Sequence, residues 1–267
     1  MMKTSMLAFL FIPACLISCA SPNAQTYGTA IDEATAKTAS MIIASEVIPT
    51  SGKSHGEIIR QVSSAFLNTP YKANSLIGSP DKPEVLVANF NGVDCFTLVD
   101  YVEALSRSQD QKSFLKNLTR TRYTNSHVSY LTRRHFFTDW YATAPRNAID
   151  VTRDISPAYV TVDKKLNRSP QGGEYVKGLG ITARKINYIP GDLIDIHVLS
   201  HLKTGDYVGV YSPLEGLDVS HIGIVIRQGG EVWFRHASSL QANRKVIDSP
   251  FLEYMHSKPG IVVLRTQ

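Results

Sequence analysis

Apolar positions recur at helical spacing from residue 56 to 67, where Ile58, Ile59, Val62, Ala65 and Phe66 share one face. Thr69-Pro70-Tyr71 ends that run. The same period returns after Asp94: Cys95, Leu98, Val99, Val102 and Leu105 fall at i, i+3, i+4, i+7 and i+10. This predicts a second helix, with Asp94 as its N-cap. Residues 111–118 predict a further short helix. The Ala-rich stretch 29–48 predicts an earlier one, broken at Pro49-Thr50-Ser51-Gly52.

The pattern changes in the second half. Asp206–Tyr211, Val219–Ile226, Val232–His236 and Ile261–Leu264 are short β-rich runs, separated by Ser212-Pro213, Glu215-Gly216 and Gly229-Gly230. The glycine pair reads as a hairpin turn. Pro250–Met255 predicts a late helix. Helices first and antiparallel strands later give an α+β fold, a helical N-terminal half packed on an antiparallel sheet.

The N-terminus alters this picture only at its edge. Lys3, an apolar stretch from Met6 to Ile17 and small residues after it have the layout of a secretory signal, too short to span a bilayer. Leu16-Ile17-Ser18-Cys19 resembles a bacterial lipoprotein processing site, which makes Cys19 a lipidation candidate. The expected organisation is a signal peptide at 1–18, a lipidated tether and N-terminal helix at 19–54, and one domain at 55–267. The net charge of +5 over 267 residues is mildly basic and decides little about partners. The chain has no Walker loop, no dinucleotide glycine pattern and no internal repeat. No nucleic-acid partner, obligate protein partner or cofactor is expected.

The chain has three cysteines. Cys15 leaves with the signal and a lipidated Cys19 cannot pair, so Cys95 is the odd thiol of an exported protein. A lone cysteine does not make a thiolate zinc site, and no metal is expected. A thiol at a helix start gains from the free amides there, and an imidazole would supply a base. His221, in Ser220-His221-Ile222-Gly223, is the leading base. His236 ends the next strand. The two positions are symmetric about 228.5, so a hairpin turning near Gly229 brings them together, and His236 would then orient the His221 ring. The competing reading of Cys95 is an inert core thiol.

The ordered set Asp94-Cys95, Gly205-Asp206, Ser220-His221-Ile222-Gly223 and His236-Ala237-Ser238-Ser239 resembles papain-like cell-wall hydrolases of the NlpC type. It is most similar to the N-acetylmuramoyl-L-alanine amidase-like family. Thr69-Pro70-Tyr71, Arg134-His135-Phe136-Phe137-Thr138-Asp139-Trp140 and Gly260-Ile261-Val262-Val263-Leu264-Arg265 add to the likeness, which covers roughly residues 55 to 267. The resemblance implies a papain-like fold with Cys95 as nucleophile at a helix N-terminus, His221 as general base and His236 as the orienting third member. It implies peptidoglycan or a muropeptide as substrate, in a lipid-anchored protein of the cell envelope facing the periplasm. Tyr71, Asp94, Ser220 and Ser238 are candidate substrate contacts, although Asp94 also reads as a helix cap. Arg134, Asp139 and Trp140 either line a groove for sugar or peptide or anchor a core. The Cys95 amide is the expected oxyanion donor.

Overall fold

The computed structural model describes residues 27–266, so Cys15, the signal sequence and Cys19 lie outside the described residues. In chain order the elements are β1 (Gly28–Ile31), α1 (Glu33–Ile42), α2 (His55–Ser64), β2 (Ile77–Ser79), β3 (Lys82–Ala88), α3 (Cys95–Ser106) and α4 (Gln111–Arg122). They continue with α5 (Asp139–Ala142), β4 (Ile149–Asp150), α6 (Thr152–Ile155), β5 (Val160–Leu166), β6 (Thr182–Pro190) and α7 (Ile196–His201). The chain finishes with β7 (Tyr207–Tyr211), β8 (Val219–Gln228), β9 (Glu231–Ala237), β10 (Val246–Pro250), α8 (Phe251–His256) and β11 (Gly260–Arg265). The fold is α+β.

The main sheet runs β10-β9-β8-β7-β11-β6-β5, with antiparallel pairings throughout. Strand β4 pairs the far end of β11, at Leu264 and Arg265. Side chains alternate across the pleat of β8. Ile222, Ile224 and Ile226 enter the core that also holds α3, whereas Val225 enters a second core with Phe234, Phe251 and Met255. The two faces of one strand thus seal two separate layers.

Helix α3 begins where the sequence expects it. Asp94 accepts from the Thr97 N–H at 2.7 Å, and the Thr97 hydroxyl accepts from the Asp94 N–H at 2.9 Å, a reciprocal capping box. Beyond that turn the helix is buried all round, Asp100 and Glu103 included. Arg122 pairs with Asp100 at 2.7 Å. Glu103 meets Tyr207 at 3.1 Å and His55 at 3.3 Å, and also pairs with Arg107. These partners explain why α4 runs four residues past the expected stop at Leu118: the polar Thr119–Arg122 turn is held by burial of Arg122.

Two expectations need correction. The N-terminal half is not purely helical, because β1, β3 and β2 form a separate three-stranded sheet with β1 parallel to β3. From the N-terminal helix and the turn after it, Ala39, Ile42, Ile43 and Val47 pack in the same core as α3. Ala65 is exposed just past the end of α2 instead of sharing its inner face, because the helix closes at Ser64. Among the described residues no helix is long and apolar enough to cross a membrane.

Candidate functional site

Hairpin β8–β9 builds the centre of the site. Gln228 pairs with Glu231, and Gly229 and Gly230 turn the chain with φ of +62° and +84°. Both values lie in the left-handed region that a two-residue hairpin turn requires and glycine supplies at least cost. Ile224 pairs with Arg235, so the hairpin axis falls one residue beyond the symmetric position expected from sequence. Carried on, this register sets Gly223, not His221, opposite His236. The two histidines are diagonal neighbours on one face, which long side chains can bridge.

They do so closely. His221 Nε2 is 2.8 Å from His236 Nδ1, and His236 Nε2 is 3.1 Å from the Ser249 hydroxyl. Ser249 is in turn diagonal to His236, because β10 pairs Ile247 with His236 and Ser249 with Phe234. A polar row therefore crosses three strands. Gly223 makes room for it: a Cβ there would stand 2.5 Å from the Phe234 ring and 2.6 Å from the Arg235 carbonyl oxygen. Phe234 uses that space to stack on His236, with centroids 4.9 Å apart. Tyr254 from α8 closes the other side, 4.9 Å from the His236 ring and 6.4 Å from His221.

Cys95 opens α3 and keeps part of its surface exposed. Its sulfur lies within reach of the backbone N–H groups of Cys95, Phe96 and Ile222, the last of these the residue after His221. These donors favour a thiolate. Burial nevertheless outweighs them and, with the Asp94 carboxylate adding to it, pushes the thiol up to about 12. Burial also pushes the His221 imidazole down to about 4, helped by the charge of Lys258. His236 goes down to about 3 through burial, then through His221 and Lys258. These shifts leave the thiol protonated and both imidazoles neutral near pH 7. The helix amides act in the expected direction, but burial outweighs them.

The other candidates divide. Tyr71 is half-buried near Cys95: burial, then the charges at Cys95 and Asp94, raise its phenol. Its strand is zipped into place by Tyr71 N–H to Arg244 C=O at 2.8 Å and Val93 N–H to Pro70 C=O at 3.0 Å. Asp94 is occupied in the capping box. Ser220 and Ser238 line a cavity of about 180 Å³ together with His221, His236, Tyr254 and Lys258. Ser238 is 1% exposed, and among the described residues its hydroxyl has no partner.

Arg134 and Trp140 do not belong to this cavity. Arg134 is buried and donates to the carbonyl oxygens of Arg120, Thr121 and Tyr123 at 2.9–3.0 Å, closing the end of α4. Trp140 is fully buried against Tyr207, with ring centroids 4.9 Å apart. Asp139 pairs with Arg184 at 3.0 Å and accepts from the Phe136 N–H. Of the two readings of these three residues, groove lining or core anchor, their contacts fit the anchor. Ser249, Tyr254 and Lys258 were not legible as site residues, because β10 carries no alternating pattern and α8 is six residues long.

A larger cavity, about 330 Å³, lies by α7 and the turn end of β8–β9, lined by Ile196, Leu199, Trp233 and Phe251. Its guanidinium, Arg227, is spent on the carbonyl oxygens of Leu199 and Leu202, and it contains no nucleophile–base pair. Among the described residues, no group of three or more His, Cys, Asp or Glu side chains is placed to hold a metal ion.

Known structures share this architecture. A Legionella pneumophila protein of the DUF1460 family is 23% identical, with a TM-score of 0.73 over 87% of this chain and 96% of its own, a likeness of fold alone. An N-acetylmuramoyl-L-alanine amidase from Bacteroides uniformis is 28% identical, with a TM-score of 0.66 over 80% of this chain and 99% of its own. A candidate xylanase from Bacteroides fragilis is 31% identical, with a TM-score of 0.61 over 76% of this chain and 98% of its own. No curated protein sequence matches the chain. A family description, AmiA-like, N-acetylmuramoyl-L-alanine amidase-like, matches residues 61–261. With three quarters of its length so matched, the chain belongs to the N-acetylmuramoyl-L-alanine amidase-like family.

Proposed function

We propose that this protein is a cell-envelope cysteine amidase on a papain-like, NlpC-type scaffold, hydrolysing an amide bond in peptidoglycan or its fragments. The bond favoured is the one between N-acetylmuramic acid and L-alanine, as family membership and the amidase from Bacteroides uniformis suggest. The observation that carries the reading is the His221–His236–Ser249 row, which runs to the strand position whose next amide meets the Cys95 sulfur.

The chemistry follows from the proton positions. Of the two neutral tautomer pairs these contacts allow, the mechanism uses the one in which His221 Nε2–H donates to His236 Nδ1 and His236 Nε2–H donates to Ser249. His221 Nδ1 is then a lone-pair acceptor, and among the described residues no hydrogen bond uses it. Cys95 gives its proton to His221 Nδ1 as Sγ attacks the carbonyl carbon. The Cys95 amide, at a helix start, receives the oxyanion. Collapse breaks the C–N bond, and His221 returns its proton to the leaving amine. Water, activated by His221, then hydrolyses the thioester. Because the resting thiol is neutral, proton transfer accompanies attack. His236 orients the ring. Lipid on Cys19 would hold the enzyme on the membrane, facing the periplasm.

The xylanase reading finds no support at this cavity. Glycoside hydrolysis generally needs two carboxyl groups roughly 5–9.5 Å apart across the scissile bond. Among the described residues no carboxylate lines the cavity, and Asp94 is held by its cap.

Incubation of the purified protein with defined muropeptides, followed by mass spectrometry, tests the function. Release of the intact peptide from N-acetylmuramic acid is expected, and Cys95→Ala should abolish it while the circular dichroism spectrum is retained. Cleavage within the peptide would replace the amidase with an endopeptidase. Full turnover by Cys95→Ala would remove the mechanism. Sacculus binding that ignores thiol alkylation, with no products, would indicate a non-catalytic wall-binding protein.

A further inference from the structure

Lys258 stands in the loop between α8 and β11 and lines the same cavity as His221, His236, Ser238 and Tyr254. Its Nζ is 4.7 Å from the centroid of the Tyr254 ring. Among the described residues it has no carboxylate partner, and none lines the cavity. The cation is thus held over an aromatic face with no counter-charge.

Its backbone is fixed. The Lys258 N–H donates to Met255 C=O at 2.9 Å. Gly191 packs so tightly against the loop that a Cβ there would stand 1.9 Å from the Lys258 carbonyl oxygen. Gly191 N–H donates to Pro259 C=O at 3.3 Å. Ser238 also lines the cavity, and among the described residues its buried hydroxyl has no partner. A buried hydroxyl without a partner is costly unless a ligand satisfies it. An unpaired cation and an orphan hydroxyl in one cavity together call for an anion that accepts hydrogen bonds.

We propose that Lys258, with the Ser238 hydroxyl, forms a subsite for a free carboxylate on the peptide part of the substrate. The identity of the ligand rests on the amidase reading, whereas the preference for a carboxylate rests on the cavity itself. A carboxylate there would also cancel the pressure of the lysine charge on the two imidazoles, making His221 a better base once that ligand is bound.

The test is calorimetric binding to full-length Cys95→Ala, which removes turnover. The probes are N-acetylmuramoyl-L-alanyl-D-glutamate with free carboxylates and the same compound with both carboxyls amidated. The free acid should bind at least about tenfold tighter, as a charge-assisted hydrogen bond predicts. Adding Lys258→Gln should bring the two within about twofold, and Lys258→Arg should keep the preference. Equal affinities, a preference that survives Lys258→Gln, or no binding of either compound would overturn the subsite. Preferential binding of the free acid, with no hydrolysis by the wild-type chain, would sink the amidase reading and leave the subsite standing.

Discussion

His221 Nε2 lies 2.8 Å from His236 Nδ1 although neither residue is the other's cross-strand partner. The contact spans a diagonal and so depends on the rings and on what lies between them. One turn residue more or less would flip one histidine to the opposite face of the sheet. Inserting a residue between Gly229 and Gly230 is therefore expected to separate the two rings. Kinetics on a muropeptide should then show a loss of kcat of about 100-fold, the scale of losing general acid–base assistance.

Removing the orienting ring should cost rate before binding. His236→Ala is expected to lower kcat about 100-fold with little change in KM, and Ser249→Ala about tenfold, since Ser249 acts through His236. Loss of the buried imidazole also leaves a cavity and strands its partners, so a destabilisation of about 1–3 kcal/mol should appear in urea titration. If His236→Ala keeps full kcat, the row across the three strands has no part in the reaction.

Gly223→Ala probes the packing beneath the row. The new methyl meets the Phe234 ring and the Arg235 carbonyl oxygen well inside contact distance, and the carbonyl is backbone. Overpacking of this kind costs about 1–3 kcal/mol. Phe234 stacks on His236, so relief by moving the ring should also disturb the histidine pair. Urea titration beside kcat measurement should show both effects. A variant with unchanged stability would contradict the close approach.

How far this was legible in the sequence depends on what each element buries. Cys95, Leu98, Val99, Val102 and Leu105 share one apolar stripe, so α3 and its Asp94 cap could be read directly. The hairpin could also be read, because Gly229-Gly230 stands between two β-branched runs. Strands β5 and β6 could not. They carry lysines and arginines, and Lys164 is buried by donating to the carbonyl oxygens of Ser212 and Leu214 at 2.7 Å, a pairing invisible to periodicity. The parallel β1–β3 pairing joins segments more than fifty residues apart, and β1 is only four residues long. At the candidate site, residue type and order singled out Cys95, His221 and His236, and the hairpin does bring the two histidines together. Ser249, Tyr254 and Lys258 depend on β10 and α8 folding back over the hairpin. For Arg134, Asp139 and Trp140 residue type left groove and core anchor equally open, and only their packing decides between them.

The two imidazoles should leave a signature in pH. In the unfolded chain they titrate near 6.5, and in the folded protein at about 4 and about 3. Between pH 6.5 and 4 the unfolded chain therefore binds more protons than the folded one. Their contribution to stability is complete above pH 6.5 and is lost as pH falls toward the folded values. Tm is expected to decline from pH 7 to 4, and His236→Asn should flatten the decline. Activity should follow the same group from the other side: His221 must be neutral to accept the thiol proton, so kcat/KM should hold down to about pH 5 and fall near pH 4. A limb near pH 6.5 would mean that His221 is solvated as an ordinary histidine.

The buried pair of Asp100 and Arg122 makes the last prediction. Both are nearly fully buried, 2.7 Å apart, and Arg122 also donates to Val87 C=O at 2.6 Å. Among the described residues, Asp100 Oδ1 and Arg122 Nη2 have no partner. Burial pushes the Asp100 carboxyl up despite the guanidinium beside it. Burial also opposes the charge on Arg122, but the Asp100 carboxylate overcomes it and holds the guanidinium above its ordinary range. Each charge thus depends on the other. Arg122→Met alone strands the carboxylate under α3, the helix that carries Cys95, and should cost about 3–5 kcal/mol in urea unfolding. Asp100→Leu combined with Arg122→Met removes both charges and should recover most of that loss. If the double variant is as unstable as the sum of the two single ones, the pair is not coupled as its geometry implies.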